Sequence, residues 1–154
     1  MPTAIIATPF GALALSATAH ELVGIDFSLD APAVEIPAHP VLALAASQFA
    51  RYFDDPGFVF SLPLRLSGTD YRRRVWDALV AIPAGSAETY GRLAERLGSG
   101  PRAVAGACRA NAFPIVIPCH RVVSAQGLGG YAGRRSGPLL DLKRWLLRHE
   151  GYAA

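Results

Sequence analysis

The sequence predicts a mixed α/β (α+β) protein in two parts, a small sheet with one helix over residues 1–64 and a mainly helical domain over residues 65–154. Segments with strand-like composition, separated by turn residues, are concentrated near the N-terminus. Helical spacing of apolar residues dominates after residue 68. Residues 1–64 hold one basic residue against six acidic ones, whereas residues 65–154 hold fourteen against six. This asymmetry indicates a polyanionic partner for the C-terminal part.

Composition excludes several classes of protein. With 51% hydrophobic and 18% charged residues the chain is not disordered. No apolar run approaches the roughly 20 residues that span a bilayer, so no membrane partner is predicted. The N-terminus lacks the basic start of a secretory signal. Two cysteines cannot build a disulfide framework, and we expect a reducing, cytoplasmic location.

The N-terminal part reads as three strands followed by one helix. Pro9 and Gly11 mark a turn between the first two strands, and the sequence "DDPG" stops the helix. Pro63 weakens the last apolar segment as a strand and leaves an extended linker as the alternative. The predicted elements are strands at 4–8, 12–18 and 22–27, a proline-rich connection over 30–40, a helix from 41 to 53, and a strand or linker over 58–66.

The C-terminal part begins with three helices. Thr69 caps the first, which is expected to run to about Ile82, and Thr89 caps the second, which ends at Gly98. Pro101 starts the third helix and Asn111 closes it. Two short helices joined by a glycine-containing turn resemble a helix-turn-helix, a pattern that also occurs in proteins that never contact DNA.

The third of these helices has an unusually smooth surface. Apart from two arginines, its side chains are mostly small: Ala103, Ala105, Gly106, Ala107 and Ala110. A helix in the major groove normally extends long polar side chains to base edges. A smooth helix with one long cation fits the minor groove, where a side chain can enter the base stack. Tight packing against another helix explains the same composition equally well.

The chain's chemistry is concentrated in "FPIVIPCHRVV", residues 113–123. We expect a buried, strand-like segment with Cys119 and His120 at its end. A reactive thiol needs a base, which His120 can supply through a water, and the imidazole then needs an acceptor on its other nitrogen. Glu150, at the end of the predicted helix "PLLDLKRWLLRHEG", is one candidate, because acidic residues are scarce in this part of the chain. Taken alone, such a cysteine is more often a small core residue and such a histidine more often a structural hydrogen-bonder, and it is the combination Pro-Cys-His-Arg after a basic helix pair that favours chemistry.

The sequence "IPCHRVV", preceded by "RAVAGACRAN" and followed by "GGYAG" and "LKRWLLRHEG", resembles the O6-alkylguanine-DNA alkyltransferase family (methylated-DNA–protein-cysteine methyltransferases). The resemblance extends over most of residues 68–151. It implies a ribonuclease-H-like N-terminal lobe, assigned by position, and a winged-helix-like C-terminal lobe with an active-site strand. It also implies DNA repair by one irreversible alkyl transfer from O6-alkylguanine to Cys119, after minor-groove binding and base flipping. The expected partner is double-stranded DNA containing O6-alkylguanine, bound by a monomer without a cofactor.

The resemblance also implies a role for each matching residue. Cys119 is the alkyl acceptor, His120 deprotonates it through a water, Glu150 orients His120, and Asn111 supports the same network. Arg102 enters the base stack, Tyr90 helps to rotate the nucleotide out, Lys143 lies near the leaving guanine, and Tyr131 to Gly133 close over the alkylated base. The full set of DNA or alkylguanine contacts implied is Arg102, Tyr90, Gly91, Arg72, Ala103, Arg109, Val122, Tyr131, Ala132, Gly133 and Lys143.

Some features depart from the family pattern or leave choices open. The segment between Gly133 and the last helix is several residues longer than usual, and it includes Arg134 and Arg135. Some members hold zinc in the first lobe, but here that lobe has no cysteine and only His20 and His39, so no metal is predicted. The alternatives are a related protein that binds damage without transfer, a helix-turn-helix transcription regulator, and a cysteine hydrolase. Adduct size, action on O4-alkylthymine and cooperativity on DNA stay open.

Overall fold

The computed structural model describes residues 1–34, 36 and 38–153 of the 154-residue chain. They form two compact units, Met1–Ser67 and Gly68–Ala154, which divide three residues after the boundary expected from the sequence. Glu35 and Pro37, in the expected proline-rich connection, and Ala154, in the expected C-terminal domain, lie outside the described residues. The combination of a small antiparallel sheet with five helices matches the predicted α+β class.

The N-terminal unit contains the three predicted strands and the predicted helix. The strands form one antiparallel sheet in the order β1-β2-β3, with Ala4 opposite Leu15 and Leu15 opposite Ile25. These three side chains are buried with the apolar face of the helix, as strand alternation and helical spacing require. The elements are β1 (Thr3–Thr8), β2 (Gly11–Ala17), β3 (Leu22–Phe27) and α1 (Pro40–Asp54).

The segment at residues 58–66 is an extended linker, the second of the two alternatives. It makes one isolated parallel bridge, in which Leu22 N donates to Pro63 O at 2.8 Å and Arg65 N donates to Leu22 O at 2.9 Å. Pro63 has no N–H, so it cannot extend this bridge into a ladder.

The C-terminal unit contains the predicted helices with small shifts at their ends. Thr69 and Thr89 each accept a backbone N–H in the first turn at 3.2 Å, and Gly98 ends its helix in the left-handed region at φ 65°. The first helix stops before Ile82, because a residue that precedes a proline is disfavoured in helical conformation. The elements are α2 (Asp70–Val80), β4 (Glu88–Thr89), α3 (Tyr90–Leu97), α4 (Pro101–Arg109), β5 (Val122–Val123) and α5 (Pro138–His149).

Helix α2 supports the pair α3 and α4. The buried Trp76 donates its indole N–H to Ala107 O of α4 at 2.8 Å. Arg74 Nη2 donates to Leu97 O at the end of α3 at 3.0 Å, and the Tyr71 hydroxyl lies 2.7 Å from the Ser99 hydroxyl in the connecting turn. These contacts set the orientation of α4 and therefore of the surface that it presents.

The apolar run before Cys119 is not the strand-like segment that we expected. Residues 113–117 form a tight turn, closed by Ile117 N donating to Phe113 O at 2.9 Å, with Ile115 in the left-handed region at φ 75°. Pro114 and Pro118 lack N–H donors, so this run cannot take a regular place in a ladder. The strand of this region is β5, which follows Cys119 and pairs in parallel with β4. Cys119 instead opens a single 3-10 turn, Cys119–Arg121.

Candidate active site

A cavity of about 680 Å³ lies within the C-terminal unit. One wall is the face of α4 that carries Arg102, Ala105, Cys108 and Arg109, which share the helical spacing of three to four residues. Tyr90 and Gly91 at the start of α3 form another wall, and the loop at residues 124–135 forms a third. Cys119 lies at the wall formed by the 3-10 turn, so the cavity gives access to its thiol.

The Cys119 thiol is largely buried, at 8% exposure. Burial raises its pKa, because an apolar environment disfavours the thiolate. The side chains of Asn111 and Tyr131 and the positive charge of Lys143 act in the opposite direction and lower this pKa. Burial outweighs these contributions, so the resting thiol keeps its proton and needs a base to become a nucleophile.

A buried base lies next to this thiol in the chain. His120 Nε2 is 2.9 Å from Glu150 Oε2, and both side chains are fully buried. Burial lowers the pKa of His120, although the hydrogen bond to Glu150 opposes this, so the imidazole is neutral at physiological pH. Because a carboxylate accepts at Nε2, the proton belongs there and Nδ1 is the free acceptor. Nδ1 is buried and has no hydrogen-bond partner among the described residues.

Arg121 completes this network, a role that the sequence analysis did not predict. Its Nε donates to Glu150 Oε1 and its Nη2 to Glu150 Oε2, both at 2.9 Å, and its Nη1 donates to Ile82 O at 2.6 Å. The two-point contact holds the carboxylate in one orientation. The available signal was the position of Arg121 directly after His120, which did not indicate a partner 29 residues away.

Asn111 shapes the turn that precedes Cys119. Its Oδ1 accepts from Phe113 N and its Nδ2 donates to Ile117 O, both at 2.8 Å. The side chain therefore spans the two ends of the turn that contains Ile115 at positive φ. Asn111 lies beyond the end of α4, which stops at Arg109 with Ala110 as the cap.

The outer rim of the cavity is basic, and its loop is tightly folded. Tyr131 and Arg134 exchange both backbone hydrogen bonds at 2.8 Å. The two residues between them, Ala132 and Gly133, both have positive φ, at 50° and 79°, as in a type I′ turn. Arg134 and Arg135 continue the lining. Tyr90 faces the same space, and burial raises its pKa to about 12, so its phenol is a hydrogen-bond donor.

The structure brings eight of the expected site residues to this cavity. They are Cys119, Arg102, Tyr90, Gly91, Arg109, Tyr131, Ala132 and Gly133. His120, Glu150 and Asn111 are not among the lining residues but belong to the network around the reactive turn. Arg72 on α2 and Ala103 on α4 are exposed and do not line the cavity.

The contacts expected for Val122 and Lys143 with DNA or the alkylated base stay predictions. Neither lines the cavity, and both side chains are fully buried. Lys143 Nζ donates to Val122 O, Leu128 O and Gly130 O, at 2.7, 2.6 and 2.9 Å. These contacts use all three N–H donors of the ammonium, so Lys143 does not point one at the cavity as a contact with the leaving base would require. Burial lowers its pKa to about 8.

Cys108 is a cavity residue that the sequence analysis did not predict. It lies on α4 six residues after Arg102, so helical spacing from Arg102 was the signal that could have found it. Burial and, to a lesser extent, the neighbouring Cys119 raise its pKa to about 12. Two thiols therefore line the cavity, and they differ in their neighbours. Among the described residues, Cys108 has no hydrogen-bonded histidine beside it as Cys119 has in His120.

The described residues contain no group of three or more His, Cys, Asp or Glu that could hold a metal ion. His39, one of the two histidines of the N-terminal unit, caps α1 by accepting Leu42 N at 3.3 Å. The absence of a metal stays a prediction. In the part of the chain that the structure describes, no helix has the length and apolar character to cross a membrane.

Both the sequence and the fold of this chain are similar to those of known proteins. The sequence model of the family described as "6-O-methylguanine DNA methyltransferase, DNA binding domain" matches residues 70–152. The chain is 36% identical to the methylated-DNA–protein-cysteine methyltransferase of Methanosarcina acetivorans, over 96% of this chain and 97% of that protein. The crystal structure of Mycobacterium tuberculosis OGT in complex with DNA is similar in fold, with a TM-score of 0.78 and 34% identity, over 96% of this chain and 91% of that one.

A third relative is more similar but longer. The methylated-DNA–protein-cysteine methyltransferase of Salmonella typhimurium is 44% identical over 111 residues, which are 70% of this chain. The matched region is 62% of the Salmonella protein, so the chain spans less than two thirds of that relative.

Proposed function

The chain belongs to the O6-methylguanine-DNA methyltransferase family, and we propose that it repairs DNA by transferring an alkyl group from guanine O6 to Cys119. The observation that carries the proposal is the position of Cys119 on the cavity wall, followed in the chain by His120, whose Nε2 is held by Glu150. A buried thiol with a dedicated base has the components of an activated nucleophile. The names of the relatives supply the substrate class, methylated DNA.

The transfer step follows from the positions of these groups. His120 Nδ1 accepts the Cys119 proton, and because no described residue occupies Nδ1, a water is the natural bridge. The Sγ electron pair then forms a bond to the alkyl carbon, and the bond between that carbon and O6 breaks. The released electron pair stays on the purine, which takes up a proton to become guanine. Glu150 stabilises the imidazolium that forms, and Arg121 holds Glu150 in place.

DNA binding belongs to the basic C-terminal unit, whose cavity is lined by Arg102, Arg109, Arg134 and Arg135. The exposed face of α4 is smooth at Ala103 and Gly106, which permits close approach to a minor groove. A base inside a duplex cannot reach Cys119, so the target nucleotide must be rotated out, at a cost of a few kcal/mol. Arg102, exposed at the start of α4, would occupy the space that the base leaves.

With the proposed product, each molecule would act only once. A thioether on Cys119 has no leaving group comparable with guanine, so the side chain does not return to a thiol. The protein would then be consumed with its substrate and work as a monomer on chromosomal DNA in the cytoplasm. Turnover would instead indicate a hydrolase, and binding without transfer would indicate a protein that only recognises damage.

Mass spectrometry of the alkylated protein tests the proposal. The protein is incubated with excess O6-methylguanine duplex, digested and mapped. We expect one methyl group per molecule, on the peptide that contains Cys119, and none for Cys119→Ser. Cys108→Ser is the matched control and should accept one methyl group as the wild type does. Methylation at Cys108, or no methylation at all, would contradict the proposal.

A further inference from the structure

Lys143 is the only lysine of the chain; the other fourteen of its fifteen basic residues are arginines. It is also one of four polar or charged residues in the buried core of the described chain. Within the part of the chain that the structure describes, its ammonium donates to three backbone carbonyls, at 2.6 to 2.9 Å, and to no carboxylate. A buried charge is costly unless such contacts compensate it, so this arrangement needs a structural reason.

The three carbonyls belong to parts of the chain that surround the thiol. Val122 directly follows the reactive turn, and Leu128 and Gly130 belong to the loop that leads to Tyr131. Between them, Gly129 lies against Tyr90: a Cβ at this glycine would be 3.0 Å from Tyr90 Cε2. Tyr131 lines the same cavity as Cys119 and is one of the groups that lower the pKa of its thiol. One ammonium thus joins the strand after Cys119 to the loop that covers it.

We propose that Lys143 is a positioning residue. Its contacts attach the segment 128–131 to β5 and so hold the Tyr131 side chain at the cavity wall that it shares with Cys119. The part of this proposal that concerns alkyl transfer rests on the function proposed above. The choice of lysine follows from geometry. A compact ammonium can direct three N–H groups to three converging carbonyls, whereas the planar guanidinium of arginine cannot. The Lys143 ammonium also lies 5.8 Å from the centre of the Tyr90 ring, within the range of a cation–π contact.

This role predicts a specific kind of defect. Lys143 makes its contacts behind the cavity wall, so its loss should leave the DNA-binding surface of α4 in place. The segment 128–131 would become mobile, and Tyr131 would lose its fixed position in the cavity that contains the Cys119 thiol. We therefore expect slower transfer after binding, with little change in binding itself.

The wild-type protein provides the first test, because its single lysine can be followed without a variant. An amine-reactive reagent at neutral pH has two targets, the α-amino group and Lys143. We expect Lys143 to react at least about a hundredfold more slowly than the α-amino group, since modification requires local opening. Reaction at the rate of an exposed lysine in the folded protein would overturn the proposal. This measurement does not depend on any enzymatic activity.

The second test uses Lys143→Met, which keeps the apolar stem, and Lys143→Arg, which keeps the charge. Arg144→Met on the same helix is the matched control; it removes an equal charge from a partly exposed side chain. Limited trypsin digestion reports on the loop, because Arg134 and Arg135 are exposed just after Tyr131. We expect cleavage there to be about tenfold faster in both Lys143 variants and unchanged in the control. Unchanged cleavage in folded Lys143→Met would contradict the proposal that Lys143 attaches the segment 128–131 to β5.

Single-turnover kinetics with methylated duplex completes the test. For Lys143→Met we expect the rate at saturating DNA to fall about tenfold or more, with the dissociation constant within about twofold of the wild type. Loss of affinity with an unchanged saturating rate would instead assign Lys143 to DNA contact and overturn the proposal. Wild-type rates in Lys143→Arg would overturn the requirement for three converging donors. If the wild type transfers no methyl group, the proposed function is wrong. The amine and trypsin measurements still test whether Lys143 attaches the segment 128–131 to β5.

Discussion

Arg121 and Glu150 form a two-point ion pair in which Nε and Nη2 each lie 2.9 Å from a carboxylate oxygen. The Glu150 carboxylate is fully buried and the Arg121 side chain is 11% exposed. Because the same carboxylate holds His120, this pair connects the stability of the C-terminal unit to the orientation of the proposed base. The exposed Arg65–Glu21 pair, with side chains 56% and 39% exposed, offers a direct comparison.

Arg121→Met should strongly destabilise the protein, because it leaves a buried carboxylate without its charged partner. We expect a loss of about 3–5 kcal/mol in urea unfolding, together with slower alkyl transfer. Arg65→Met, which breaks a solvent-exposed pair, should lose less than about 1 kcal/mol. Equal losses in the two variants would show that the buried pair has no special weight.

The stability of the fold should fall as the pH is lowered below the ordinary histidine pKa of 6.5. Burial lowers the pKa of His120 in the folded state, so below pH 6.5 the unfolded chain binds a proton that the folded chain refuses. One such proton changes the unfolding free energy by at most about 1.4 kcal/mol per pH unit. Urea titrations between neutral and mildly acidic pH measure this slope. His120→Asn should reduce it, and an unchanged slope would assign the pH dependence to other groups.

Asn111→Ala should reduce both stability and transfer, because the side chain spans the turn before Cys119. Two partly buried hydrogen bonds are lost, and we expect a destabilisation of about 1–3 kcal/mol. Gln48→Ala is the matched control: Gln48 braces Ser61 through its amide in the N-terminal unit, with Ser61 N donating to Oε1 at 2.9 Å. It should lose comparable stability but retain wild-type transfer at saturating DNA. A wild-type transfer rate in Asn111→Ala would show that the turn held by Asn111 does not contribute to alkyl transfer.

Arg102→Ala should slow transfer from duplex DNA far more than transfer from a free O6-alkylguanine base. The free base needs no extrusion, so the residue that occupies the vacated stack is not required there. Arg144→Ala removes the same charge from the same unit at a site outside the cavity, and it should change the two rates in the same proportion. Stopped-flow or quench measurements with both substrates provide the comparison. Equal slowing by Arg102→Ala would argue against a role in base flipping.

The helices and the first sheet could be predicted from local signals. Thr69, Thr89, Gly98 and Pro101 act on residues within one turn of themselves, and the structure has helix ends at or near each of them. The segment 113–117 could not be predicted in this way. Its apolar composition favours a strand, but two prolines and the bridging side chain of Asn111 make it a turn. Strand propensity largely reflects how apolar side chains pack. Here most of the apolar side chains are buried although the segment does not pair with a neighbouring strand.

The site shows the same division. The Pro-Cys-His-Arg motif is contiguous, so the amino-acid order alone indicated the proposed nucleophile, its proposed base and the family that the chain resembles. The contacts of Glu150 with His120 and Arg121, and of Lys143 with the carbonyls of residues 122, 128 and 130, join parts of the chain 13 to 30 residues apart. Such pairings depend on the packing of α5 against the reactive turn, which no local pattern encodes. Only the folded chain could therefore show that Arg121 contacts Glu150 and that Lys143 contacts the carbonyls on which its proposed role rests.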